Sequence, residues 1–408
     1  MKTIVRVLLG LGVLACLVCV GACIALHSLE AASKRAPQDF APQASPAARE
    51  LAAHAFEGLD PARILDYHVH LAGLGSDDSG CGVDSRVFSW LHPRKRVQFL
   101  FYLDAAGVKD RAHADREMVR RLVELARNSP VPLRCALLAF DQAHTEAGEP
   151  DVERSELYVP NEWTARIAAE EPELFVQAIS VHPYRNDALE ELERWAARGV
   201  RIVKWLPNSM NIDPADPRCE AFYDCLARHH MALLVHTGEE QAVDAAQQQE
   251  LGNPLRLRRA LAHGVRVIAA HCGSLGEGED LDHPGHEKQA NFDLFLRLMD
   301  EPRTKGELYG EISASTFRNR DPRVLRTLLE RTDLHAHLVN GSDWPLPALH
   351  VLISTARLEE QGFLTHAEKL ALDEIYDFNP LLYDFVLKRT LHGAHGERFA
   401  DEVFLERP

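Results

Sequence analysis

From Arg63 onward, short apolar, β-rich runs alternate with longer stretches whose apolar residues recur at helical spacing. Eight runs of the first kind stand out: "RILDYHVHL", "LRCALLAF", "LFVQAISVHP", "VRIVKWLP", "MALLVHTG", "VRVIAAHCG", "LYGEISA" and "HLVNGSDWP". Between them lie amphipathic stretches such as "DALEELERWAARG", "CEAFYDCLARHH" and "DPRVLRTLLERT". Several open on Asp and close on Gly or His, as helix ends do. Strand and helix in repeated alternation predict a parallel α/β sheet, and eight units predict closure into a (β/α)8 barrel. An open doubly wound sheet is the structural alternative. No G-x-G-x-x-G follows the first run, which removes a dinucleotide-binding role. The stretch from Ala72 to Pro132 is too long for a simple first crossover. Its "SWLHPRKRVQFLFYLDAAGV" predicts helices capping the barrel mouth.

The barrel is expected over residues 61–391, with 392–408 as a C-terminal tail. Residues 36–60, Pro/Ala-rich and then helical in composition, read as a linker and a leading helix. Ahead of them, Lys2 and Arg6 precede an uncharged apolar run from Val7 to Leu26, about 30 Å long as a helix and enough to cross a bilayer core. The run is long for a signal peptide, and no crisp A-x-A site follows it. An N-terminal membrane-anchor helix is therefore expected within residues 1–35, spanning at 7–26. The body would then lie outside a bacterial inner membrane. The alternative is a lipoprotein, with "VGAC" presenting Cys23. Of eight cysteines, Cys16, Cys19 and Cys23 sit in this leader. The remaining five lack paired zinc-ribbon spacing and are expected to be packed thiols. The chain's formal charge is -16, and its first 35 residues are basic, so the body is more acidic still. Such a body repels phosphate backbones, and no basic stripe with interleaved aromatics is present; nucleic acid is excluded as a partner.

Candidate chemistry appears where the apolar runs stop. The first ends in His68 and His70, the third in His182, the fourth in Lys204. The fifth ends in His236, the sixth in His271, the seventh in Glu311 and the eighth in Asp343. In a parallel barrel these C-terminal ends meet on one face, the face that carries catalysis in such folds. H-x-H alone is a weak signal. In an extended chain, however, positions 68 and 70 project the same way, and two neutral imidazoles make a poor core and a good metal clamp. In "VRIVKWLP", Val203 and Trp205 suit packing against helices, which points Lys204 into the barrel. Nitrogen and carboxylate donors together suit zinc or another divalent transition metal. Cys272 falls on the opposite parity from His271 and is read as core.

The ordered set "DYHVH", "VKWLP", "LLVHTG", "VIAAHCG" and "NGSDWPLP" resembles the amidohydrolase superfamily over roughly Ile64 to Leu391. The likeness is to the amidohydrolase-2 branch, which includes aminocarboxymuconate-semialdehyde decarboxylase. The resemblance implies a distorted (β/α)8 TIM barrel with metal held by His68, His70, His236 and Asp343. It makes His271 a second-metal ligand or a catalytic group. It gives Lys204 the place where binuclear members carry a carbamylated, bridging lysine; one ion is the favoured count, two the alternative. Asp343 would move protons, His271 would stabilise an oxyanion, and Lys204 would act on substrate. His182 and Glu311 are expected in supporting or substrate contacts. The activity implied is hydrolysis of a C–N or C–O bond at a carbonyl centre of a small molecule. The alternative on the same barrel is a metal-dependent, non-oxidative decarboxylase. A non-catalytic binding protein, the reading from another class, would lack a ligand, and none is lacking. Substrate and oligomeric state are not written in these motifs.

Overall fold

The computed structural model describes residues 34–407, apart from 146, 244, 246 and 303–305. The expected anchor at 7–26 and Cys23 lie outside the described residues. Among those described, no helix is long and apolar enough to cross a membrane.

All eight apolar runs form strands: β1 (Asp66–His70), β2 (Cys135–Leu138), β3 (Phe175–Ile179), β4 (Ile202–Trp205), β5 (Ala232–His236), β6 (Val267–Ala270), β7 (Leu308–Glu311) and β8 (Leu338–Val339). They pair in chain order, every neighbour parallel. The ends of the sheet then meet. Tyr67 N donates to Asn340 O and His70 N to Trp344 O, both at 3.0 Å, while Asp343 N donates to His68 O at 2.8 Å.

A leading helix, α1 (Pro46–His54), precedes the barrel. The connections carry α2 (Pro93–Ala105), α3 (Ala114–Arg127), α4 (Asn161–Glu170), α5 (Ala188–Ala197), α6 (Glu220–Arg228), α7 (Arg258–Ala262), α8 (Asn291–Asp300) and α9 (Pro322–Glu330). After β8 come α10 (His366–Phe378) and α11 (Pro380–Thr390). Their local logic is ordinary. In α9, the Asp321 side chain accepts from Arg323 N, Pro322 takes the first helical position, and Val324, Leu325, Leu328 and Leu329 bury one face.

Strand alternation divides the apolar residues into two cores. Tyr67, Leu138, Ile202, Leu234, Ile268 and Val339 fill the barrel. Val203, Trp205, Leu233, Val235, Val267 and Leu338 face the helices. Trp205 is fully buried against Phe222 and Tyr223 of α6, with ring centroids at 5.1 and 5.8 Å. This fixes Ile202 and Lys204 as the inward pair of β4.

Two flanking segments differ from expectation. Residues 36–60 do not hang as a linker: Phe40 packs edge-on against Phe378 at 5.7 Å, and Ala48 and Ala52 are fully buried. Small apolar residues at helical spacing let α1 approach α10 closely. The C-terminal segment is also no loose tail. Val403 and Phe404 are fully buried, Asn340 N donates to Val403 O, and Arg407 N donates to Tyr67 Oη at 2.9 Å. The segment lies against β1 and β8 and completes the barrel core. The long first connection does hold a mouth helix: in α2, Gln98 donates to Ala242 O at 3.0 Å and Tyr102 to the same oxygen at 3.2 Å.

Candidate active site

β1 delivers two histidines because it is irregular. Between Asp66 and Val69 its register against β2 shifts by a residue, so Tyr67 fills the barrel interior while Val69 faces the helices. Such a bulge re-aims side chains next to it. The buried Asp66 carboxylate holds the turn, accepting from His68 N and Ser342 N, each at 2.9 Å. Burial pushes its pKa up to about 6, against the pull of Ser342, the His68 backbone and Lys388.

His68 is fully buried, and its two ring nitrogens have different neighbours. Nδ1 lies 2.9 Å from Glu311 Oε2, which makes it the donor to a carboxylate. Nε2 is then left with its lone pair. It lies 3.1 Å from His70 Nε2, 3.2 Å from Lys204 Nζ and 3.5 Å from Asp343 Oδ1. The His70 Nε2 to Asp343 Oδ1 distance is 3.3 Å. Burial, followed by the charge of Lys204 and the neighbouring imidazoles, holds His68 well below the usual histidine pKa.

Glu311 is wholly buried. It also accepts from Ser313 Oγ at 2.7 Å and from His271 N at 3.2 Å. Burial raises its pKa to about 7, while Ser313 and the ammonium of Lys388 draw it down. Gly341 must be glycine here, because a Cβ would come within 2.3 Å of Glu311 Oε1.

His271 reaches the same space by breaking the alternation of β6. Ile268 and Ala270 face inward, so a continued strand would turn position 271 outward. Instead His271 has φ 60° and Cys272 φ 52°. The His271 imidazole stacks on His68 at 5.0 Å, its Nδ1 is 2.7 Å from Ser313 Oγ, and Cys272 drops into the outer core. Donor atoms of His68, His271 and Asp343 lie within 4.8 Å of one another. His236, ending β5, sits edge-on to His271 at 5.0 Å. Both its ring nitrogens are buried without a hydrogen-bond partner, although Nδ1 has Glu240 Oε2 3.4 Å away. Burial, and next the charge of Lys204, pulls its pKa down to about 3. His236 is therefore a neutral base with one lone pair to offer.

Lys204 is buried, with no carboxylate within 4.0 Å among the described residues. Desolvation lowers its pKa to about 8, with Asp343, Glu311 and Glu240 pulling the other way. For Asp343, burial alone would raise the pKa; His271, His70 and Lys204 outweigh it, and the carboxylate is ionised.

His182 stands apart from this group. Its Nε2 donates to Met210 O at 2.9 Å, its Nδ1 accepts from Tyr184 N at 3.2 Å, and its ring packs on His144. The sequence patterns did not single out Asp66, Glu240, Ser313 or Lys388. Of these, only Ser313 carried a signal: it shares strand parity with Glu311.

The donors fit a small cation. Around a tetrahedral metal with bonds of about 2.0–2.1 Å, donors stand about 3.3 Å apart. The triangle of His68 Nε2, His70 Nε2 and Asp343 Oδ1, with edges of 3.1, 3.3 and 3.5 Å, matches that spacing.

A family profile described as Amidohydrolase (Amidohydro_2) matches residues 65–374, most of the chain. The chain belongs to the amidohydrolases. That family is usually metal-dependent, in keeping with the donor set just described. Among curated proteins, no sequence match is found. Similar solved structures include an uncharacterised TIM-barrel protein from Bordetella bronchiseptica (14% identity, 71% of this chain and 88% of that one, TM-score 0.46). Another is 5-carboxyvanillate decarboxylase from Sphingomonas paucimobilis (12%, 71% and 92%, 0.38). A third is 4-oxalomesaconate hydratase from Rhodopseudomonas palustris (11%, 76% and 88%, 0.39). Likeness at this level bears on neither reaction nor substrate. As an amidohydrolase the protein is an enzyme.

Proposed function

We propose that this amidohydrolase is a metal-dependent hydrolase that directs water at a carbonyl carbon and cleaves a C–N or C–O bond of a small molecule. The observation that carries the proposal is the triangle of His68, His70 and Asp343 donor atoms at 3.1–3.5 Å, the spacing of donors around one tetrahedral ion. His236, with two orphaned buried nitrogens, is the fourth donor. Three nitrogens and one carboxylate favour zinc or a neighbouring divalent transition metal. Such an ion, when bound, supplies a hydroxide nucleophile near neutral pH and polarises a carbonyl.

The chain's own groups do the rest. Asp343 is the ionised carboxylate at the mouth and takes the proton of the attacking water, then returns it to the leaving group. His271 donates its Nδ1–H to Ser313 Oγ, whose own hydrogen goes to Glu311, so its Nε2 offers a lone pair to a ligand or a proton at the reacting centre. Glu311 fixes the tautomer of His68. Lys204 holds or neutralises substrate charge. One ion is the preferred count, and Lys204 then acts on substrate as a single amine. The same buried amine, with no carboxylate beside it among the described residues, favours one second reading, non-oxidative decarboxylation, since it can hold a carboxylate that is about to leave.

Elemental analysis of the purified chain, coupled to a screen of esters, amides, lactones and carboxylic acids, tests the proposal. Stoichiometric metal with water-dependent turnover supports it. Carbon dioxide release from the acids, with no hydrolysis, replaces it with the second reading. A metal-free, fully folded and active protein removes both.

A further inference from the structure

The loop after β7 carries a charged group to which the proposed hydrolysis gives no task. Arg320 Nε donates to Ser274 Oγ at 2.9 Å, on the turn that follows His271. The preceding Asn319 donates from Nδ2 to Gln241 Oε1 at 3.3 Å, on the loop that follows His236. Residues 319 and 320 are thus tied across the ends of β5 and β6, over the two histidines that close those strands. Yet Nη1 of Arg320 is buried with no hydrogen-bond partner, and no carboxylate of the described residues lies within ion-pair distance of its guanidinium.

A guanidinium stays charged at neutral pH, so a buried, unanswered N–H is a standing cost. Burial draws Arg320 down to about 10, with Asp343, Glu240 and Glu239 acting the other way. Each of these acids is engaged elsewhere, Glu239 Oε1 accepting from Gln241 Nε2 at 3.0 Å. Asp343 stands against His68 and His70, and Glu240 Oε1 accepts from the backbone of Ala242 and Val243. The positive charge of Arg320 is felt by both His236 and His271, which puts it in the same electrostatic site as the candidate ligands. A native fold seldom retains such an orphan unless water, an ion or a ligand completes it, and its place at the strand ends gives a ligand access.

We propose that Arg320 receives a carboxylate of the substrate, so that the molecule turned over is an anion. Its reacting carbonyl would face the His68–His70–Asp343 corner, and its carboxylate would take Arg320 Nη1. One orphaned N–H beside a hydroxyl suits a planar carboxylate, whereas a phosphate has three oxygens that call for further donors. The proposal rests on the metal-dependent hydrolase reading for the reacting end alone; the anion site stands on Arg320.

The test uses the full chain, metal-free and zinc-loaded, with acetate as probe exchanged against chloride at constant ionic strength. Acetate should raise the unfolding midpoint of the wild type in both forms, by about 2 °C at tenfold excess over its dissociation constant. Arg320→Met should show no acetate-dependent shift, and Arg320→Lys, which keeps the charge, should keep part of it. If the Met variant does not fold, the Lys variant against wild type carries the comparison, with at least a threefold weaker acetate response expected. An equal shift in wild type and variants would overturn the proposal. So would a response to inorganic phosphate with none to acetate. Absence of zinc uptake alongside an intact Arg320-dependent acetate shift would sink the metal-dependent reading and leave the anion site standing.

Discussion

Glu311 decides which nitrogen of His68 is free. Its carboxylate accepts from His68 Nδ1 and from Ser313, so Nε2 is the lone-pair side. In Glu311→Gln the amide keeps the shape but brings two donors into a ring of donors. His68 then has reason to adopt the other tautomer, and metal affinity should fall about 10–100-fold with the fold intact. Chelator competition followed by metal analysis measures this; unchanged affinity would remove Glu311 from the proposed ligand shell. Lys204 separates one ion from two. Lys204→Met should leave about one metal per chain while cutting turnover at least about 100-fold. Loss of half the bound metal, with bicarbonate aiding reconstitution of the wild type, would instead establish a bridging carbamate. These two residues were legible in the sequence because each ends a strand. Arg320 and Glu240 were not, because their loops reach the mouth by tertiary contacts that periodicity does not encode.

Elements carry the site by departing from regularity in two places. β1 bulges between Asp66 and Val69, and the chain after β6 takes positive φ at His271 and Cys272. Strict alternation, which rightly turned Lys204 inward and Trp205 outward, would have turned His271 away from the barrel. The eight strands themselves were legible because each is a short apolar run bounded by helix signals; the two breaks were not, because nothing in "DYHVH" or "HCG" announces a backbone angle. The turn after β3 is set by His182, locked as a neutral tautomer between Met210 O and Tyr184 N. Burial first, and then neighbouring positive groups, lowers its pKa from 6.5 to about 3. The unfolded chain therefore binds this proton below about pH 6.5, and the folded chain resists until about pH 3. Its contribution is complete above pH 6.5 and is lost as pH falls through that window, by up to about 1.4 kcal/mol per pH unit. His182→Gln can make both hydrogen bonds without titrating. Urea unfolding at pH 7 and pH 5 should show the wild type losing about 2 kcal/mol more than the variant. Equal losses would mean that His182 does not set the acid limit.

At the scale of the whole molecule, the N-terminal boundary is the point that sequence and fold treat differently. The Pro/Ala-rich composition of 36–60 predicts a linker, whereas the described body begins packing there at once. Arg35 N donates to Asp377 O at 2.9 Å, and the Arg35 guanidinium sits over the Phe378 ring at 4.8 Å. Phe40 and α1 then cover α10, whose end leads directly into α11. On α11, Lys388 donates to Gly341 O and to Asp384, both at 2.6 Å, directly beneath the segment that carries Asp343. The leading segment thus belongs to the barrel's support and cannot be trimmed as spare linker. A chain beginning at Lys34 should be soluble without detergent, fold cooperatively and bind as much metal as the full-length protein. A chain beginning at Ala55 lacks the α1 cover over α10. It exposes apolar surface there and should lose stability by several kcal/mol, at about 25 cal/mol per Å² uncovered. Metal content and denaturant midpoints of the two truncations give the answer. Should the Lys34 chain aggregate or fail to load while the full-length protein is active in detergent, the first 33 residues take part in folding or metal loading. Should the Ala55 chain match it in stability, the covering role assigned to Phe40 and α1 is wrong.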